Sequence, residues 1–71
     1  MEKFKEAVER KLDEIVNQFE EAIKDGCSQN GFMMIAQSEA IVLWNHCIER
    51  GLTEKETYDL FCKTAPDWLI P

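Results

Sequence analysis

The chain has 71 residues, 45% of them hydrophobic, and 14 acidic side chains against 8 Lys and Arg give a net charge of -6. Hydrophobic content that high excludes a disordered tail. The negative balance disfavours direct nucleic-acid binding or attachment to an anionic membrane, because Lys and Arg supply the affinity in both cases. It accommodates a basic protein partner. The length suffices for one domain around one core, and a chain this short buries only about 60% of the surface its unfolded form exposes, so a lone monomer is expected to be marginal.

Met1-Glu2-Lys3-Phe4 leads directly into a charged amphipathic pattern, without the apolar segment or small-residue cleavage site of a secretory signal. The longest apolar runs, Phe32–Ala36 and Ala40–Trp44, are five residues each, against roughly 20 needed to cross a bilayer. Cys27, Cys47 and Cys62 are odd in number and cannot all pair within the chain. Reduced thiols and a cytoplasmic setting are therefore expected.

The first helix is predicted over residues 2–25. Val8, Leu12, Ile15, Phe19 and Ala22 step by four and three, and Val16 and Ile23 widen the seam to a bundle-type stripe. Glu6 with Arg10 and Glu20 with Lys24 have the spacing of supporting ion pairs. Gly26 provides the stop. A loop follows, in which either Ser28 or Asn30 can cap the next helix.

The second helix is predicted over residues 31–50, ending at Gly51. Between Gly26 and Ile48 the only formal charge is Glu39, whereas residues 1–25 hold 8 acids and 5 bases. At 100° per residue, Met33, Ala36, Ala40, Trp44 and Cys47 share a core face. Met34, Ile41 and Ile48 are expected to flank that face on one side and Leu43 on the other. Ser38, Glu39, Asn45, His46 and Glu49 form a polar arc with Ile35 and Val42 in its middle. Apolar groups in nearly every direction mark a helix packed on more than one side.

The third helix is predicted over residues 54–64. Thr53-Glu54-Lys55-Glu56 has the form of a capping box, and Tyr58, Phe61 and Ala65 are expected to face the core, with Leu60 and Cys62 beside them. Pro66 ends it. The apolar tail, residues 66–71, is expected to pack on the bundle or dock on a partner. The expected fold is thus all-α: a small three-helix bundle with a long N-terminal helix and a short packed C-terminal tail.

Catalytic and metal chemistry finds little support in the pattern. Cys27, Cys47, Cys62 and His46 include no Cys-x-x-Cys pair, and adjacent His46 and Cys47 point about 100° apart on a helix. Neither a metal nor a cofactor is therefore expected. A thiol enzyme would need a base beside its nucleophile, and His46 is poorly placed for Cys27. His46-x-x-Glu49 reverses the Glu-x-x-His order of di-iron bundles. No enzymatic activity is expected. Gly51-Leu52-Thr53-Glu54-Lys55-Glu56 looks like the turn of a helix-turn-helix protein, but acids dominate the following helix and no recognition helix comes after it.

What remains is interaction surface. Ile35 and Val42 among Ser38, Glu39, Asn45 and His46 form an apolar strip with a polar rim. The same residues also suit a core position, and the pattern leaves both readings open. Trp68 and Leu69 are candidate anchors, with core packing the stronger reading for Trp68. The expected function is a small acidic regulator or inhibitor that binds another macromolecule. A phage or mobile-element inhibitor of a basic nucleic-acid-handling protein fits by size and charge. The alternative is a homo-oligomeric assembly module.

Overall fold

The computed structural model describes residues 1–71. Three helices, α1 (Glu2–Lys24), α2 (Gln29–Glu49) and α3 (Glu54–Thr64), are followed by a short 3-10 turn, Asp67–Leu69. The all-α bundle with a long first helix and a packed tail is the observed fold.

Sequence-local signals set the boundaries. α1 and α2 end in the same way. Gly26 adopts φ +90° and Gly51 φ +103°, a region that L side chains rarely enter. At the first end, the N–H groups of Gly26 and Cys27 donate to the carbonyls of Ile23 and Ala22; at the second, those of Gly51 and Leu52 donate to Ile48 and Cys47. This is the Schellman pattern, and at the second end it is sealed by buried Leu52 over buried Cys47.

Ser28 is the α2 cap, its hydroxyl accepting from the Gly31 N–H at 3.4 Å. The helix therefore starts two residues earlier than expected, and Asn30 lies inside its first turn. At α3 the predicted capping box is complete. The Glu56 N–H donates to the Thr53 hydroxyl at 3.1 Å, and the Thr53 N–H donates to Glu56 Oε1 at 3.0 Å. Ala65, before Pro66, turns extended and ends the helix.

One core joins all the elements. Val8, Leu12 and Ile15 come from α1, Ala36, Ala40 and Cys47 from α2, and Leu60 and Phe61 from α3. Leu52, Ala65 and Leu69 complete it from the connections and tail. Trp44 meets Phe61 edge-on at 5.2 Å between ring centroids, tying α2 to α3. Phe4, near the start of α1, lies 5.5 Å from the ring of His46, near the end of α2, so these helices run antiparallel. The Arg50 guanidinium lies 4.7 Å from the centre of the Phe4 ring.

Two expectations about α3 and α1 need correction. The core face of α3 carries Thr57, not Tyr58 and Cys62, which are exposed. Burial of Thr57 is tolerable because its hydroxyl donates to the Thr53 carbonyl at 2.9 Å, so no polar group is stranded. On α1, neither Glu6–Arg10 nor Glu20–Lys24 closes. The ion pairs present are Lys11–Glu14 at 3.8 Å and Lys55–Asp59 at 3.5 Å, both well solvated. Exposed pairs of this kind add little to stability.

Candidate functional site

α2 has an inverted distribution of side-chain size. Its fully buried residues are all small: Ala36, Ala40 and Cys47. Larger residues such as Leu43 and Trp44 are only partly buried against the core. Five large apolar side chains point to solvent instead: Val42 is 69% exposed, Met34 68%, Ile35 53%, Ile41 49% and Ile48 39%. Ordinary burial would place the bulkiest aliphatic groups inside.

These five residues form two parallel ridges. Met34, Ile41 and Ile48 recur every seven residues, as do Ile35 and Val42 one position later. A seven-residue repeat keeps side chains on nearly one line along a helix. Between the ridges lie Ser38 and Asn45, both exposed. The Ser38 hydroxyl donates to the Met34 carbonyl at 2.9 Å, so its hydrogen bond is made within its own helix.

The sequence had placed Met34, Ile41 and Ile48 beside the core, and the structure moves them outward. Their shared seven-residue spacing with Ile35 and Val42 was the available signal. It was obscured because apolar residues surround α2 on every side. Ile35 and Val42, left between core and surface by sequence, are exposed.

The polar rim lies along one edge. A groove of about 480 Å³ is lined by Lys11 of α1 and by Ser38, Glu39, Val42, Leu43, His46 and Glu49 of α2. It gathers four of the candidate residues, Ser38, Glu39, Val42 and His46, on one side of the molecule. Ile35 borders the next hollow along α2, beside Ile15, Phe19 and Phe32. Asn45 is exposed between the ridges rather than in the groove.

The tail residues belong elsewhere. Leu69 is buried in the core and cannot serve as an exposed anchor. Trp68 is half-buried, its ring 4.7 Å from that of Phe19 and its carbonyl accepting from Gln37 Nε2 at 2.9 Å. Gln37 lies about 140° around α2 from Val42. The tail therefore packs on the opposite edge of α2 from the groove, and Gln37, which holds it, carried no sequence signal beyond its polarity.

The thiols are dispersed. Cys47 is buried, and burial pushes its thiol above the ordinary value. Cys27 and Cys62 are exposed. His46 and Cys47, though adjacent, face solvent and core respectively. Tyr58 is raised above its ordinary value, first by its side-chain interaction with Cys62. No three His, Cys, Asp or Glu side chains converge on one point that could hold a metal ion. No helix is long and apolar enough to cross a membrane.

The geometry defines a three-helix bundle with a ridged apolar face along its central helix. No family model, curated protein or solved structure matches the chain.

Proposed function

We propose that this chain is a small acidic protein-interaction module, a regulator or inhibitor that acts by docking the outward face of α2 on another polypeptide. The observation that carries this reading is the inverted burial of α2, with small residues inside and Met34, Ile35, Ile41, Val42 and Ile48 outside. Each apolar side chain of this size gains roughly 1.5–3 kcal/mol when fully buried. Folding alone leaves about half of that gain unrealised, and a partner would realise it.

The rim supports the same reading. Glu39, His46, Glu49 and Lys11 edge the ridges along the groove, giving an apolar centre with a polar border. Seven-residue spacing suits a helical occupant, whose own ridges fit between these.

The test pairs wild type with the double variant Ile35→Glu, Val42→Glu. Both positions are exposed, so at sub-micromolar concentration circular dichroism should give matching helical content and melting. Wild type should bind protein through α2, seen either as a change in its own oligomeric state or as proteins retained from a host lysate. The variant should lose that binding. Identical oligomeric state and identical retained proteins for both chains would refute the reading.

A further inference from the structure

We infer that the occupant of the α2 face is the α2 face of a second copy of this chain, packed antiparallel about a two-fold axis between Ile41 and Val42. The inference rests on the interaction reading above and names its partner. A two-fold contact requires one surface to complement itself, residue i meeting j while j meets i. The exposed face has that property. Read outward from the point between Ile41 and Val42, it gives Ile41 then Ser38 then Ile35 in one direction, and Val42 then Asn45 then Ile48 in the other. Antiparallel pairing thus sets Ile41 against Val42, Ser38 against Asn45 and Ile35 against Ile48. Apolar groups meet apolar groups, and the two small polar groups meet each other.

Charge selects the antiparallel arrangement. The central stretch of the face carries no formal charge, so two chains of net charge -6 can meet there without opposing acids at the centre. A parallel pair would bring the two Glu49 side chains together at one end. Antiparallel pairing instead carries each Glu49 toward the start of the partner helix, beside Met34. The acids of α1 stay outside the contact and free for other partners.

The size of the face sets the strength. Met34 to Ile48 spans about 21 Å of helix, and an ordinary specific interface takes about 800 Å² per partner. That is roughly a sixth of the chain's 4891 Å² accessible surface, more than the two ridges cover alone. A reversible dimer with a dissociation constant on the order of 10 μM is expected, formed by monomers that are already folded.

Light scattering after size exclusion, with the full chain eluting at about ten times that concentration, should give about 1.8 times the 8.3 kDa chain mass, close to that of a dimer. On dilution to about a tenth of it, the mass should fall to that of one chain. Ile41→Glu should stay monomeric throughout, with the melting of dilute wild type. A cross-linking measurement tests the arrangement independently. In a Cys27→Ser, Cys62→Ser background, Ser38→Cys mixed with Asn45→Cys should give a disulfide-linked mixed dimer, and neither variant alone should link efficiently. Self-linking of Ser38→Cys alone would indicate a parallel pair and overturn the inference. A wild-type chain that stays monomeric at the highest loading would also overturn it. In that case, α2-dependent capture of a different protein would leave the interaction reading standing, and its absence would remove both.

Discussion

α1 and α2 lie side by side in one small bundle, yet they distribute their apolar residues in opposite ways. α1 buries Val8, Leu12 and Ile15 and turns acids and bases to water. α2 buries Ala36, Ala40 and Cys47 and turns Met34, Ile35, Ile41, Val42 and Ile48 to water. The demand for a core accounts for α1 completely. On α2 it accounts for only one side, and the outward ridges are the part that the proposed contact addresses.

The comparison is sharpest where one truncation is made on each helix. Leu12→Ala removes a fully buried side chain at the centre of the core. Such losses cost about 2–5 kcal/mol, and a domain of this size has little stability in reserve. Urea or thermal unfolding should show a largely destabilised chain. A loss below 1 kcal/mol would mean that the α1 seam is not the keel of the fold.

Thr53→Ala tests the cap at the start of α3. It removes the hydroxyl that accepts from the Glu56 N–H and supplies no acceptor in its place. About 1 kcal/mol of stability should be lost, measured by chemical denaturation. The reciprocal partner predicts a pH dependence. The Glu56 carboxyl is held below its ordinary value, first by the Thr53 backbone N–H and then by the Thr53 side chain. A carboxylate favoured in the folded state stabilises above its unfolded value, and that stabilisation disappears as pH falls through the lowered folded value. The difference in melting temperature between wild type and Glu56→Ala should therefore be widest near neutrality and should shrink in acid. A difference that stays constant with pH would show that the charged form is not what the cap holds.

Helix ends were legible in sequence because their signals are local. Gly26, Gly51, the Thr53–Glu56 box and Pro66 each act within a few residues of themselves, whereas the choice between Ser28 and Asn30 as the α2 cap stayed open. The facing of α1 was legible for a related reason, since one clear stripe leaves a single choice. α2 offers apolar groups at almost every angle, so periodicity cannot say which side its neighbours cover. That choice is made by α1, α3 and the tail together. Small Ala36 and Ala40 allow close approach, while Trp44 and Phe61 fix the join to α3. Thr57 was missed because its burial depends on a bond to the Thr53 carbonyl, which hydropathy does not record. Ile35 and Val42 were legible as a strip, but the second ridge was not, and neither was the loss of Leu69 to the core.

The smallest expected effect on stability is also the one that separates the two helices most cleanly. Val42→Ser and Ile41→Ser replace exposed groups, so at sub-micromolar concentration their unfolding should match wild type to within about 0.5 kcal/mol. A larger loss there would place the ridges in the core and erase the contrast with α1. Concentration then supplies the second half of the test. If folded chains pair through α2, association adds stability by mass action, and the wild-type melting temperature should climb as protein concentration rises above the dissociation constant. Neither serine variant should show that climb, because a hydroxyl buried at the two-fold axis without a partner opposes pairing. Equal stability when dilute and unequal stability when concentrated is a signature that no core residue can produce, since a core contact is worth the same at every concentration.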